Sequence, residues 1–566
     1  MKKYLFFFLF SCILPLIAYS QFNTSFEGIG QWYIDDSKIK LIGNDTSDRI
    51  RSNAYLKFDY SLKNWDFSAQ IESYSPKALL NYSPELKQIN IGTLYARYHN
   101  ADLLGLDISG GHLYDQLGRG LIFRTWEDRQ LGLNNSLLGG RVALSPVNGI
   151  TLSVLGGKQR IGMGFDLSAG TIYATNLEAS ITDLLSVSDY TLDAGFSLAG
   201  RYEAPPTETT TRVSVNAPNT VNSYSGRLNF SMHGFYVGGE YVFKGNDVFV
   251  TQNILEPVSS NLYSGQALLI NLGYTQKGLG IDINLRRLEN MGFYSQRDLT
   301  SNDYNRGTLN YIPALTKQYD YALQNLYIYQ AQSYLQFETN ILNGQTTLKK
   351  AGEIGGQIDL IYEFKKGSFL GGKYGTNVAI NASYWAGLKT TDNHDGTYSS
   401  DFLGFGKRLY NDFGIEIRKR YTKDLSFIFM YLNQYYNQGY IKGEIGEVNT
   451  HTIAAEATYK FKKSQSVRLE AQHQWADALD KNWIGGMLEY HLNYNWSFFV
   501  SDMYNYGNDT EDLRLHYYNA GLSFVQNATR VALSYGRQRG GLMCAGGVCR
   551  MVSESAGLTL NITTSF

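Results

Sequence analysis

"SLLGGRVALSPVNGITLSVLGGK", residues 136–158, is the stretch that decides the fold. Two glycine-bearing apolar stretches flank the sequence Ser-Pro-Val-Asn-Gly at 145–149, which has the composition of a tight turn. Large apolar residues alternate with small or polar ones in both stretches, and neither is long enough to cross a bilayer as a helix. The segment therefore predicts two antiparallel strands joined by a short turn.

The same alternation recurs along the chain. In WDFSAQIE, residues 65–72, Trp, Phe, Ala and Ile share one face, whereas Asp, Ser, Gln and Glu share the other. IAAEATYKF at 453–461 and SVRLEAQHQW at 466–475 repeat this design. A period of two with one charged face indicates a sheet that is apolar on one side and wet on the other.

Short and long connections alternate between the predicted strands. Brief turn-like stretches, such as 62–64 and 233–235, are followed by longer polar ones, such as 114–137, 290–353 and 387–407. We predict an all-β fold, a single large transmembrane antiparallel β-barrel of about 24 strands (roughly 22–26), with short periplasmic turns and long extracellular loops. A closed sheet has no unpaired edge, so it satisfies its backbone in hydrocarbon without spanning helices.

The composition suits such a barrel. Aromatic residues make up 14% of the 566 residues, 44 residues are tyrosine, and only 18% are charged. Tyrosine has an apolar body and a polar tip, which fits the aromatic girdles at the two membrane interfaces. The formal net charge of −1 points to no nucleic-acid partner.

The two ends of the chain predict export and membrane assembly. Lys2 and Lys3 precede an apolar run over 4–17 and then Ala-Tyr-Ser at 18–20, which is typical of a secretory signal peptide cleaved after Ser20; a retained membrane anchor is the alternative. We therefore predict a signal peptide over 1–20 and an outer-membrane barrel over 21–566 of a Gram-negative cell, with no room for a separate plug domain. The last strand, ESAGLTLNITTSF, ends on Phe566 and is similar to the signature that barrel-assembly machinery recognises. Outer-membrane lipid and that machinery are the predicted partners.

The connection GGHLYDQLGRGLIFRTWEDRQLGLNNS, residues 110–136, is far denser in charge than its surroundings. If it dips into the lumen, its charges form a constriction that selects solutes. A structural network that ties the loop to the wall is the alternative, and the two are compatible. The candidate constriction residues are Asp115, Arg119, Arg124, Glu127, Asp128 and Arg129.

The connection over 290–353 is the longest. Its middle, LNYIPALTKQYDYALQNLYIYQAQ, is aromatic-rich and only moderately polar, which argues against disorder. We expect it to fold inward or to cap the barrel. An extra hairpin merged into one apparent loop is the alternative.

Charged side chains on the polar faces of later strands predict a wet lumen. Their signs alternate, which indicates mutual neutralisation, although such charges are often simply solvated. The candidate lumen-lining residues are Glu416, Arg418, Glu456, Arg468, Glu470, Glu489 and His491.

Two cysteines remain after signal cleavage, Cys544 and Cys549 in GGLMCAGGVCR. In an exported chain they form a candidate disulfide, with free thiols as the alternative. Two thiols without a neighbouring histidine make only half a zinc site, so we predict no metal site. The chain has no G-x-S-x-G or H-E-x-x-H motif, and its eight histidines are scattered, so we predict no catalytic residues, no cofactor and no enzyme.

Three segments carry a resemblance to a family of uncharacterised outer-membrane β-barrels from Bacteroidota. They are YDQLGRGLIFRTWEDRQLGLNNSLLGGRV, NYIPALTKQYDYAL and GGLMCAGGVCR. The first is also distantly similar to the arginine- and glycine-rich pattern of alginate-export-type porins. The family resemblance implies a fold and a membrane location, and it implies no activity.

Two functions fit these observations. The first is a porin-like or gated conduit for a polar solute or an exported polymer, its lumen partly filled by inward loops, because an open barrel of about 24 strands would leak. The second is a non-transporting, loop-plugged scaffold that serves an outer-membrane secretion or assembly complex, with an envelope protein as partner.

Overall fold

The architecture is a closed barrel of 24 antiparallel strands. The computed structural model describes residues 22–39, 49–80, 86–210, 213–248, 250, 260–299, 307–339, 346–545 and 548–566. Each strand pairs with its neighbours along the chain, and the first and last strands close the sheet, with Ser25 opposite Ser565 and Tyr33 opposite Gly557. The predicted fold class and strand number are confirmed.

The barrel strands follow one another in chain order. They are β1 (Phe22–Tyr33), β2 (Ile50–Leu62), β3 (Trp65–Tyr74), β4 (Gln88–Asn100), β5 (Leu106–Leu113), β6 (Leu137–Val147), β7 (Ile150–Gln159), β8 (Thr171–Ser180), β9 (Thr191–Tyr202), β10 (Thr220–Met232), β11 (Phe235–Val248), β12 (Leu262–Gln276), β13 (Leu279–Glu289), β14 (Gly352–Phe364), β15 (Thr376–Asp392), β16 (Tyr398–Arg420), β17 (Leu425–Asn437), β18 (Glu447–Lys462), β19 (Gln465–Ala476), β20 (Trp483–His491), β21 (Trp496–Tyr504), β22 (Asn519–Gln526), β23 (Thr529–Gln538) and β24 (Ser555–Ser565).

Smaller elements lie in the connections between these strands. Three short hairpins pair Glu127–Asp128 with Leu133–Asn134, Gln336–Thr339 with Thr346–Lys350, and Gly541–Ala545 with Val548–Val552. The helices are Ile181–Leu185 and Gln438–Ile441, and the 3₁₀ turns are Arg297–Leu299, Ala322–Leu326 and Glu511–Leu513. Among the described residues, no helix is long and apolar enough to span a membrane.

The alternation of connection lengths runs around the whole barrel. One end carries the short turns, which begin with 63–64 and include 365–375, and the other end carries the long connections, up to 290–351. The predicted connection 387–407 is wrong, because β15 continues to Asp392 and β16 begins at Tyr398. Beyond Gly387, where the pairing with β14 ends, the two strands continue as a ribbon of polar β-formers such as Thr390 opposite Ser400.

The two faces of the wall separate as the alternation predicts. On β3, Trp65 and Phe67 face outward and are 44% and 41% exposed, whereas Gln70 and Glu72 face the lumen and are 2% and 1% exposed. Leu469 on β19 is likewise exposed. The outer face is therefore apolar over the height of the strands.

The predicted signal peptide over 1–20 lies outside the described residues.

Candidate functional site: a plugged lumen

The charged connection between β5 and β6 folds into the barrel. Its apolar residues Leu117, Leu121, Ile122 and Phe123 are buried in a hydrophobic cluster with lumen-facing residues of the wall. The wall residues include Leu155, Ile172, Ala174, Ala199, Val221, Val242, Ala267, Leu269 and Leu288. The lumen is thus apolar and dry next to β5–β13 at the long-loop end.

Three of the six candidate constriction residues tie this connection to the wall. Arg129 Nη1 donates to Glu27 Oε2 at 2.6 Å and its Nη2 donates to Gln70 Oε1 at 2.9 Å. Gln70 in turn donates to Glu127 Oε1 at 2.9 Å. Asp115 accepts from Arg141 Nε at 2.8 Å. These charge-assisted bonds brace the loop against β1, β3 and β6.

The other three candidates make different contacts. The Arg124 guanidinium lies 3.8 Å from the ring centre of Tyr311, a cation–π geometry. The Arg119 amide donates to Glu240 Oε2 at 3.2 Å. Asp128 accepts from the Leu131 amide at 2.8 Å and so holds a local turn. Their selection of solutes stays a prediction.

The connection between β13 and β14 enters the lumen and crosses it, which confirms the expectation that it folds inward. We call residues 307–335 the plug. At one end, Arg286 of the wall donates to the Pro313 carbonyl at 2.7 Å, and the Trp385 indole donates to the Leu315 carbonyl at 3.1 Å. The extra hairpin that the sequence left open is Gln336–Thr339 with Thr346–Lys350, which follows the plug and stands outside the barrel sheet.

A second set of bonds joins the middle of the plug to β19. The Leu323 amide donates to Gln472 Oε1 at 3.0 Å, and Gln474 Nε2 donates to the Leu323 carbonyl at 3.0 Å. Both glutamines are buried. The plug is therefore bonded to strands well separated around the barrel.

The strongest anchor of the plug is the carboxylate of Glu353 on β14. Its oxygens accept from Arg286 at 2.6 Å, from the Tyr329 hydroxyl at 2.5 Å and from the Gln332 amide at 2.7 Å. The side chains of Arg286 and Glu353 are 2% and 0% exposed. Loss of one partner of such a buried pair leaves an uncompensated charge, so the anchor holds firmly.

A cavity of about 900 Å³ separates plug residues 318–328 from the wall formed by β19–β24 and β1. Small residues on several neighbouring strands line part of its wall side, and the wall recedes from the plug there. These small residues are Ser501, Ser534, Gly536, Ser555, Gly557 and Thr559. A polar, recessed wall of this kind leaves room for a hydrated solute.

The predicted lumen-lining charges form two ion-paired groups nearer the short-turn end. Arg418 Nε lies 2.5 Å from Glu416 Oε1, and His491 Nε2 lies 3.1 Å from Glu489 Oε1. The Arg468 guanidinium contacts the carboxylates of Glu456, Glu470 and Glu489 at 3.2, 2.8 and 3.5 Å. Opposite charges are thus paired along this part of the wall, although three carboxylates share the single cation of Arg468.

The backbone of Cys544 lies opposite that of Cys549 in the hairpin after β23. Their side chains lie outside the described part of the chain, so the disulfide stays a prediction. Over the described ranges, no group of three His, Cys, Asp or Glu side chains is arranged to hold a metal ion.

Sequence reasoning missed several residues that shape the site. Arg160 binds Glu72 through both guanidinium nitrogens, at 3.0 and 2.6 Å, and both side chains are almost fully buried. Gln472 and Gln474 hold the plug. The alternation of the strands predicts that Glu72 and Gln472 face inward. Their partners lie 88 and 149 residues away in the sequence, and contacts between such distant residues leave no local signal.

The fold and the site define a class, the closed β-barrel whose lumen is filled by its own connections. The chain belongs to DUF6029, a family of unknown function, whose profile matches residues 1–566. No curated protein matches the chain. The Bacteroidota origin and the similarity to alginate-export-type porins stay predictions.

Several solved barrels share the general architecture. The siderophore receptor PirA from Pseudomonas aeruginosa is 9% identical, with 97% of this chain and 80% of that chain covered and a TM-score of 0.39. The PapC usher translocation pore of the P pilus is 7% identical, with 96% and 99% covered and a TM-score of 0.42. A BenF-like porin from Pseudomonas fluorescens Pf-5 is 9% identical, with 85% and 98% covered and a TM-score of 0.35. Likenesses this low carry no argument about function.

Proposed function

We propose that this protein is an outer-membrane barrel that conducts a polar solute or an exported polymer, and that the plug is its gate. An apolar outer face, a charged inner face and a closed sheet are what a bilayer demands of a spanning β-protein. Among barrels, 16–18 strands already enclose an aqueous channel. A barrel of 24 strands therefore needs a filling that can move if it is to conduct selectively.

The observation that carries the proposal is the unequal attachment of the plug. Leu309, with Ile312 and Leu315 packed alongside, belongs to the dry cluster next to β5–β13. The segment 318–328 lines the cavity, and the bonds of Leu323 to Gln472 and Gln474 hold it beside that opening. Leu323, Leu326 and Tyr327 also pack in a separate apolar cluster with wall residues that include Tyr436 and Trp483. A displacement of this segment would break that second cluster and widen the cavity into a path, and it would leave the dry cluster around Phe123 and Leu309 intact.

Single-channel recording in planar bilayers tests this gate. Gln472→Leu/Gln474→Leu removes both side-chain partners of Leu323, which costs about 1–3 kcal/mol for each buried group left unsatisfied. Gln357→Leu is the matched control, because within the described part of the chain the Gln357 side chain bonds to Asp359 of the same wall strand and to no plug residue. We expect a mostly closed wild type, frequent stepwise openings of the double variant, and a control that behaves as the wild type.

A charge substitution tests whether the connection between β5 and β6 selects solutes. Arg124→Ala removes a cation that stacks on Tyr311 of the plug. If this connection lines the conducting path, the open channel of the loosened variant shifts its preference toward cations. If the reversal potential is unchanged, the connection between β5 and β6 only braces the barrel and does not select solutes.

The second candidate function is a permanently closed scaffold that docks an envelope protein. It is favoured by the Glu353 anchor, because buried charged networks of this kind open at high cost. If the wild type and the loosened variant are both silent, and only deletion of residues 318–328 opens a large pore, the gate is contradicted and the scaffold is supported.

A further inference from the structure

Ten cations cluster on one arc of the short-turn end, which we call the basic arc. They lie in or beside the turns 277–278, 365–375, 421–424 and 463–464, which are neighbours because β13–β18 pair in sequence order. At about 4.8 Å for each strand, the arc is roughly 30 Å long. Its members are Lys277, Lys365, Lys366, Lys373, Lys419, Arg420, Lys423, Lys460, Lys462 and Lys463. Two carboxylates, Glu363 and Asp424, share this stretch of the rim.

These cations are not neutralised by the protein. Among the described residues, no carboxylate lies within 4.0 Å of any of the ten, and all except Lys419 are exposed. Three exposed lysines at the long-loop end are paired with carboxylates instead. Lys38, Lys389 and Lys481 lie 3.5, 3.2 and 2.5 Å from Asp512, Asp401 and Asp509. The basic arc is therefore a field of uncompensated positive charge.

The rest of the short-turn rim differs in charge. The turns from 63–64 to 233–234 carry one lysine, Lys63, together with Asp102, Asp183 and Asp189. The charge of the basic arc is thus a local feature and not a property of every short turn.

An ordered apolar tip projects from the middle of the basic arc. Phe369 is 99% exposed and Leu370 is 52% exposed. The turn that holds them is internally bonded, since the Gly367 amide donates to the Gly372 carbonyl at 2.7 Å. Lys419 Nζ donates to the Leu370 carbonyl at 3.2 Å. Because Lys419 alternates in phase with the exposed Ile417 of the outer face, the turn leans toward the lipid side of the wall.

Outward-facing aromatic residues follow the basic arc on the same strands. They are Tyr362, Phe427, Tyr459 and Phe461, all more than 40% exposed. An aromatic belt bordered by lysines marks the level at which a membrane changes from acyl chains to headgroups.

We propose that the basic arc binds anionic phospholipid headgroups of the leaflet at the short-turn end, with Phe369 and Leu370 inserted among the acyl chains. The inference rests on the membrane location in the proposed function. The lysines supply attraction to lipid phosphates and anionic headgroups, and the apolar tip supplies insertion, which is the two-signal arrangement that holds a segment at an anionic surface.

Lipid retention tests the proposal directly. The full-length protein is placed in nanodiscs of phosphatidylglycerol and phosphatidylcholine in equal amounts, and the lipids that stay bound on release are counted by native mass spectrometry. We expect wild type to retain phosphatidylglycerol about tenfold over phosphatidylcholine, and Lys365→Gln/Lys366→Gln/Lys373→Gln to lose most of that preference. Lys389→Gln/Lys407→Gln/Lys481→Gln is the control, because it removes three cations at the long-loop end. It should leave the preference for phosphatidylglycerol unchanged. Phe369→Ser should lower the retention of both lipids.

The outcomes separate the basic arc from the membrane location. Entry of wild type and all variants into pure phosphatidylcholine nanodiscs, without a phosphatidylglycerol preference in wild type, contradicts the basic arc and leaves the barrel in the membrane. Binding of an acidic soluble protein to the basic arc in place of lipid would likewise contradict the lipid site and leave the membrane location unaffected. Failure of wild type to enter any nanodisc contradicts the proposed function and this inference together.

Discussion

The two sides of the plug differ in how they meet the barrel. Next to β5–β13, the packed wall, large apolar side chains of wall, plug and charged connection form one dry cluster around Phe123 and Leu309. Next to β19–β24 and β1, the hollow wall, small polar residues such as Ser534 leave a cavity of about 900 Å³ between the wall and the plug. Side-chain size on the inner face thus decides where the lumen is filled and where it can conduct, because close packing excludes water.

The largest effect is expected at the anchor of the plug. Glu353→Ala leaves the buried Arg286 cation without a carboxylate partner. We expect a loss of about 3–5 kcal/mol in the free energy of unfolding, measured by urea titration in detergent. Glu178→Ala is the matched control, since Glu178 pairs with Arg227 at 2.7 Å but is 45% exposed. Its loss should stay below about 1 kcal/mol, because solvent screens the Glu178 carboxylate and Arg227 keeps its bonds to Ser197 and Asn176. Equal losses of unfolding free energy in the two variants would contradict the role of Glu353 as the anchor of the plug.

The packed and hollow sides should respond differently to truncation. Phe123→Ala removes a fully buried ring, and we expect a loss of about 3–5 kcal/mol. Ile328→Ala on the cavity side should lose only about 1 kcal/mol, because one side of Ile328 already faces the cavity. The same urea titration compares them, and a larger loss at Ile328 would remove the distinction between the two sides.

Filling the cavity should narrow the path without unfolding the protein. Ser534→Trp, introduced into the Gln472→Leu/Gln474→Leu background, should reduce the open-channel current to less than about half, because the added indole occupies the recess. The Ser534→Ala control should conduct as the background does. An undiminished current through the tryptophan variant would show that the path runs elsewhere.

The smallest effect is a pH dependence at the hairpin after the plug. Burial, with Lys349 beside it, lowers the pKa of Lys350 to about 7. An unfolded lysine has a pKa of about 10.4, so the folded state binds fewer protons between these values and stability rises as the pH increases from about 7 toward 10. We expect a gain of about 2 kcal/mol between pH 7 and 9 that Lys350→Met lacks. Parallel profiles for the two proteins would contradict this assignment.

The fold was accessible from the sequence because each barrel strand carries its own signal. Alternation in 65–72 predicts which face of β3 meets the lumen, and the turn at 145–149 predicts where β6 ends. The ribbon of β15 and β16 was missed, because its polar tip has the composition of a loop although its backbone is paired as far as Asp392 and Tyr398.

The site was only partly accessible. The aromatic composition of 290–353 predicted an inward fold, and the charge of 110–136 singled out the second inward connection. The division into a packed and a hollow wall was not predictable, because it depends on which inward residues meet across the lumen. Glu353 with Tyr329, and Gln472 with Leu323, are contacts that only the closed barrel creates.

The most direct test of the gate is a thiol-block recording on the loosened variant, with Cys544 and Cys549 replaced by serine. Ser534→Cys places a thiol on the hollow wall, and Ala267→Cys places one in the dry cluster of the packed wall. We expect a membrane-impermeant thiosulfonate reagent to reduce the single-channel current of the Ser534→Cys protein and to leave that of the Ala267→Cys protein unchanged. Block at Ala267→Cys alone, or no current before the reagent is added, would contradict it.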